Sequence, residues 1–229
     1  MRPPTAVSDR PLYAPDPARP ESKRLQLLAE ASRAFTEAAS ELPALHAAIA
    51  RRVAELVGDA CSLRLLTEDG VLLRTISAYH TDPHAQALIG RPGALDLISL
   101  DQGAGGEVIR TGRPVLLPLL SPTALPPLFN PRLSGHSHLF PIHSFLAVPV
   151  RIGGQLSGVL SVTRHRPGLP YLSDDQRLLE DLAERAGLAL HNARLAADQQ
   201  QARAEAARAA DLAGRLHEML SGFVNAQLP

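Results

Sequence analysis

The sequence predicts an α/β fold of the α+β kind: one central antiparallel sheet of about five or six strands, with N- and C-terminal helices on one face and a long irregular segment left over to cover the other. Three observations predict it. Two pairs of strand-like runs are joined by tight turns, Glu68-Asp69-Gly70 and Gly153-Gly154. Amphipathic helical stripes precede the first pair and follow the second. A long Pro-rich segment, 121–142, stands between the pairs where regular structure is hard to sustain.

The elements follow in chain order. Residues 1–21 carry Pro3, Pro4, Pro11, Pro15, Pro17 and Pro20 and are expected to form a disordered tail. Residues 21–41 read as a helix with Leu25, Leu28, Phe35 and Leu42 near one stripe. Pro43 suits the first turn of a second helix over 43–57, with Leu45, Ile49, Val53 and Leu56 apolar. Gly58 is a plausible helix end. A strand over 60–67, the Glu68-Asp69-Gly70 turn and a return strand over 71–79 make the first hairpin.

Short helices are expected within 81–90 and over 103–111, with a brief strand at 97–101 between them. Residues 114–120 read as a strand near a sheet edge, because Pro114 and Pro118 lack ladder donors. Segment 121–142 is too long for an ordinary connection and reads as a functional or disordered loop. Runs 145–152 and 155–163 flank Gly153-Gly154, whose freedom at positive φ marks a tight hairpin. Ser173 and Gln176 have capping-box spacing, and Asp174 and Asp175 suit the positive end of the helix they open.

That last helix is expected to run to about Leu220. Leu188, Asn192, Leu195, Gln199, Ala202, Ala206, Ala209, Ala213, Leu216 and Leu220 hold a 4-3 spacing. This is a heptad seam with little apolar area per layer. It reads as a weak dimer contact or as a surface lying against the first helix. The domain plan is therefore a tail over 1–21, a single domain over 22–195 and a coiled-coil-like helical extension over 196–229.

Composition narrows the function. The 23 basic and 23 acidic residues cancel, no long basic run occurs, and Trp is absent. A nucleic-acid partner is not expected. No apolar run is long enough to span a bilayer, and the N-terminus lacks a signal-peptide apolar core, so a cytoplasmic protein with no membrane partner is expected. Cys61 stands alone, which excludes an intrachain disulfide.

Five pieces of the second half carry a family resemblance: FLAVPV at 145–150, the Gly153-Gly154 turn, GVLSV at 158–162, LSDD at 172–175 and ALHNARL at 189–195. With GAGGEVIRTGRPV at 103–115, they resemble the GAF domain, the small-molecule sensor module of bacterial signalling proteins and phosphodiesterases. The resemblance implies a sensor that passes ligand state to a C-terminal signalling helix. It also implies a small-molecule ligand, a ligand lid formed by 121–142 on the sheet face away from the terminal helices, homodimerisation through those helices and a signalling kinase or output protein as partner. A place in a two-component system follows, with no catalytic residues. It does not identify the ligand.

Among the nine histidines, His136, His138 and His143 fall in or beside the lid, and His80 and His84 follow the second strand. The loop before the FLAVPV strand is similar to that of haem-binding GAF domains of mycobacterial oxygen- and redox-sensing kinases. There a loop histidine holds the iron, and His138 is the positional counterpart. Haem is thus a candidate cofactor, with His138, His143, Phe140, Phe145 and Tyr79 as candidate pocket residues. A haem-based gas or redox sensor and a structural dimerisation module without ligand are the alternatives to the general sensor.

Other family chemistries fit less well. Cyclic-nucleotide GAF domains carry an Asn-Lys signature that this chain lacks. Arg64, Arg91 and Arg110 are the arginines placed to meet a phosphate, although such side chains are usually solvated. Cys61 reads as a small buried hydrophobe, not a bilin attachment site. One cysteine cannot close the redox cycle of a methionine-sulfoxide reductase. His217-Glu218 opens like a histidine-kinase phosphoacceptor box, but the following residues lack the Arg and Pro that motif needs. Autokinase activity is not expected, though the chain suits a sensor fragment of a larger kinase.

Overall fold

A computed structural model of the chain describes residues 21–89, 97–101, 103–120 and 141–225, with side chains described as far as residue 215. The elements are α1 (Glu21–Glu37), α2 (Leu42–Val57), β1 (Ala60–Leu66), β2 (Leu72–His80), α3 (Pro83–Ile89), β3 (Leu97–Ser99), α4 (Gly103–Thr111), β4 (Val115–Leu117), β5 (Ser144–Ile152), β6 (Gln155–Arg164) and α5 (Ser173–Asn225). The six strands form one antiparallel sheet in the order β3-β2-β1-β6-β5-β4. β4 lies at an edge, where its flanking prolines cost no ladder bond.

Alternation of side chains gives the sheet two different faces. Cys61, Leu63 and Leu65 of β1 point to one face with Leu146, Val148, Val150, Leu160 and Val162. Against them pack Leu28, Ala31 and Phe35 of α1, Leu45, Ile49 and Val53 of α2, and Leu178, Leu182, Ala186 and Leu190 of α5. The terminal helices thus share one face. Leu25, expected on the α1 stripe, is 59% exposed, and Ala31 takes its place in the buried set. The opposite face carries a smaller cluster, Leu73, Ala104, Val108, Val115, Phe145, Ala147 and Val159, with α4 lying over it.

The Gly153-Gly154 turn has φ of 59° and 83°, so both glycines occupy the left-handed region that the hairpin signal requires. The start of α5 differs from expectation by one residue. Leu172 holds the cap position: its carbonyl accepts from the Gln176 N–H, and its N–H donates to Asp175 Oδ2 at 2.8 Å. Asp175 performs the reach-back foreseen for Gln176 because its other oxygen is engaged at depth. Asp175 Oδ1 accepts from Arg164 Nη2 at 3.1 Å, and both residues are buried. Arg164 also donates to the carbonyls of Pro170 and Val57 and lies 4.1 Å from the Tyr171 ring centroid. One guanidinium therefore ties together the end of β6, the start of α5 and the end of α2.

Candidate functional site

The sheet face turned away from α1, α2 and α5 is the candidate site. Strand register assembles its floor. One row runs Ala78, Ser62, Ser161, Ala147, Val115, and the next runs Thr75, Arg64, Val159, Pro149. The apolar end of this floor is sealed by α4 through Ala104 and Val108. Over the central strands, Ala60, Ser62, Arg64, Ala78 and Thr163 are only half-buried.

Arg64 is the most unusual residue of that floor. Its Nη1 donates to Ser161 Oγ at 3.0 Å, and Ser161 Oγ lies 2.8 Å from Ser62 Oγ. Its Nε is buried with no hydrogen-bond partner, and no carboxylate pairs with it among the described residues. Burial pushes the guanidinium pKa down to about 10. The β1–β2 register shifts between Leu63 and Arg64, with Ile76 the extra residue on β2, while the pairing of Arg64 with Val159 of β6 is regular. β6 approaches closely here, since a Cβ at Gly158 would stand 2.2 Å from the Arg64 carbonyl oxygen. From the sequence, Arg64 could meet a phosphate, with a solvated side chain the favoured reading. Its alternation with Cys61, Leu63 and Leu65 was visible, but the central position of β1 was not.

The sequence-derived pocket residues divide. Phe145 belongs to the far-face cluster. His143 is half-buried and continues the ladder there: its N–H donates to the Arg164 carbonyl and its carbonyl accepts from Leu120 N–H. Tyr79 is a correction. It pairs with Cys61, packs against the helix-face core and has Arg51 5.9 Å from its ring centroid, so it lies on the opposite side of the sheet from Phe145. The one-residue alternation of a strand decides this. His138, Phe140 and residues 121–140 of the expected lid lie outside the described residues.

His80 is buried at the end of β2 with its ring centroid 4.8 Å from that of His165. Its Nδ1 accepts from the Asp82 N–H. Burial first, and the neighbouring His165 second, push its pKa down to about 4. Cys61 is buried on the helix face, and burial drives its thiol far above the ordinary range. It is therefore an unreactive core residue. Among the described residues, no group of three or more His, Cys, Asp or Glu is placed to hold a metal ion. No described helix is long and apolar enough to cross a membrane.

The β5–β6 hairpin meets α5 at two points. A Cβ at Gly187 of α5 would stand 2.1 Å from the Arg151 carbonyl oxygen of β5. A Cβ at Gly153 would stand 3.1 Å from the His191 ring. Strands whose residues Phe145, Ala147 and Val159 line the far face thus press directly on the helix that leaves the domain.

Solved structures share this architecture. The GAF domain of a phosphoenolpyruvate-protein phosphotransferase from Coxiella burnetii superposes with a TM-score of 0.60 at 18% identity, over 77% of this chain and 98% of that one. The corresponding Acinetobacter domain gives 0.56 at 19% identity, over 77% and 98%. The free methionine-R-sulfoxide reductase of Neisseria meningitidis, solved in complex with its substrate, gives 0.59 at 16% identity, over 78% and 95%. At such identities the likeness speaks for the fold alone. The family model for the GAF domain matches residues 41–190, from the start of α2 to the Leu190 layer of α5. GAF domains commonly serve as sensor or regulatory modules of signalling proteins, and the chain belongs to the GAF domain family.

Proposed function

We propose that this chain is a small-molecule-sensing regulatory module that passes ligand state to its C-terminal helix. The observation that carries the reading is the asymmetry of the sheet. One face is filled by three helices, while the other keeps a half-buried polar floor around Ser62, Arg64 and Ser161. A ligand on that floor would press on β6, and through the hairpin on α5 at Gly187 and His191. A binding event biases such a helix by its differential affinity for two arrangements. The signal would go to a kinase or another output protein.

The same reading makes the protein a homodimer through α5. Leu188 is 61% exposed and Leu195 46%, while Ala186, Leu190 and Ala193 face the core. The heptad seam therefore points away from the domain and does not lie against α1. From residue 196 to 215 every residue is exposed. A partner helix along the seam would bury apolar area that the single chain leaves in water.

Three measurements test this. A thermal-shift screen of metabolites should find a compound that raises the midpoint, since binding to the folded state alone stabilises by mass action. Hydrogen exchange with that compound should then change in both β6 and α5. Unchanged exchange in α5 would refute the signalling role. Sedimentation equilibrium should give a dimer, weakened by Leu188→Glu with Leu195→Glu.

A further inference from the structure

We propose that Arg64 receives the anionic group, a carboxylate or a phosphate, of the small molecule that this domain senses. This deepens the sensing role proposed above and rests on it. A buried charge is tolerated when an opposite charge balances it, and an uncompensated one is costly. The other arginines that lie beside carboxylates are accounted for. Asp175 pairs with Arg164, Asp181 with Arg24, Glu55 with Arg51 and Arg52, Asp174 with Arg177, and Asp211 with Arg215. Asp59 accepts from the His165 N–H, and Asp82 from the first N–H groups of α3. Glu68, Asp69, Asp101 and Glu107 are exposed.

The sequence around the site cannot easily supply a counter-charge either. Between Glu107 and Asp174 it contains no Asp or Glu. Within 90–140, the residues outside the described structure include a single carboxylate, Asp96.

Arg64 is instead prepared as a donor. Ser161 holds one terminal nitrogen by its Oγ, and the Ser62–Ser161 contact fixes that oxygen. Nε remains buried without a partner among the described residues, and the residue keeps part of its surface accessible. A planar guanidinium offers Nε and a terminal nitrogen as two parallel donors, which matches a carboxylate or a phosphate. The fall in its pKa fits a cation desolvated without a carboxylate beside it. The apolar wall of Val115, Phe145, Ala147 and Val159 along the same face suits an anion with a small hydrocarbon body.

The test uses the full chain at constant ionic strength, with inorganic phosphate and propionate as separate probes and chloride as the balancing anion. At tenfold above its dissociation constant, a bound probe should raise Tm by about 3 °C. Arg64→Gln should lose the rise, whereas Arg74→Gln, at an exposed position on β2, should keep it. A response to phosphate alone assigns a phosphorylated ligand, and one to propionate alone assigns a carboxylic acid. A second readout works on the unaltered protein: the Arg64 Nε–H resonance, assigned with Arg64→Lys, should shift on titration with the active probe.

Equal responses from wild type and Arg64→Gln, or an unmoved Nε–H signal, would overturn the proposal. So would a response that appears only in Asp96→Asn, since Asp96 would then already neutralise Arg64. If both probes fail while uncharged compounds stabilise wild type and Arg64→Gln alike, the anion inference falls and the sensing role stands. If no compound of any charge acts, both fall.

Discussion

The crossing of α5 over β5 admits a sharp test with one substitution made at two places on the same helix. Gly187 and Gly214 both lie within α5, and each is replaced by Ala. Intrinsic propensity favours both changes by about 1 kcal/mol, because glycine loses more backbone freedom in a helix. The surroundings differ. At Gly214 a Cβ would meet nothing within 4 Å, whereas at Gly187 it would sit 2.1 Å from the Arg151 oxygen and 3.1 Å from its carbon. Ordinary contact begins near 3.4 Å, so helix and strand must separate by about 1 Å at a backbone-to-backbone contact. Leu182, Ala183, Ala186 and Leu190 are fully or nearly fully buried around that point, so the shift disturbs core layers on either side. Overpacking of this kind costs about 1–3 kcal/mol, and strand backbone cannot rotate aside as a side chain can. A backbone contact this short puts the cost at about 2–3 kcal/mol, so net of propensity Gly187→Ala should lower the unfolding free energy by about 1–2 kcal/mol. Gly214→Ala should raise helix content and leave the domain's midpoint unchanged or higher. Urea denaturation followed by circular dichroism reads both, with a constant m-value as the check on two-state behaviour. A Gly187→Ala protein as stable as wild type would show that α5 does not press on β5, and the signalling route through this crossing would be lost.

Three further predictions concern the buried polar groups. Tyr171→Phe should stabilise the domain by about 1 kcal/mol in chemical denaturation, because the hydroxyl is buried without a hydrogen-bond partner among the described residues and the ring under Arg164 is retained; a loss of stability would reveal a partner for that hydroxyl. Asp175→Ala should cost about 3 kcal/mol, at the low end for a broken buried pair, because Arg164 keeps the carbonyls of Pro170 and Val57; a cost below 1 kcal/mol would mean the pair is solvated. His80, held near pKa 4 against its ordinary 6.5, is neutral in the folded state while the unfolded chain takes up a proton. Its contribution therefore erodes as pH falls through 6.5 and levels off below about 4. Asp59 and Asp82 oppose the shift, and His165 reinforces it. His80→Gln should flatten that limb of the stability profile, and an NMR titration of His80 near 6.5 would contradict the assignment.

Much of the architecture was legible locally. The α4 bounds, the positive-φ turn at Gly153-Gly154 and the edge position of β4 follow from residues within a few positions of one another. Periodicity and turn chemistry act at that range. The site was less legible. Phe145 could be placed by its neighbours, but Tyr79 could not, because its face depends on the pairing of β2 with β1. His143 lies in the described ladder, whereas His138 and Phe140 lie beyond the described residues. Arg64 could not be told from Arg91 and Arg110 as a phosphate contact until β1 was found between β2 and β6.

The sequence by itself determined the helices, the two hairpins, the α/β class and the family. Each depends on short-range backbone preference or on a motif read within one segment. Only the tertiary structure decided the partners of Arg24, Arg64 and Arg164. β1 and β6 are paired although Ser62 and Ser161 stand 99 residues apart, and Arg164 reaches the Val57 carbonyl across 107. It likewise decided that Leu188 and Leu195 face outward while Leu190 faces the core. Burial is a property of what covers a residue, and the covering elements come from distant parts of the chain. The same alternation that makes a strand recognisable leaves open which of its faces will be filled, and here that choice left Arg64 on the half-buried floor.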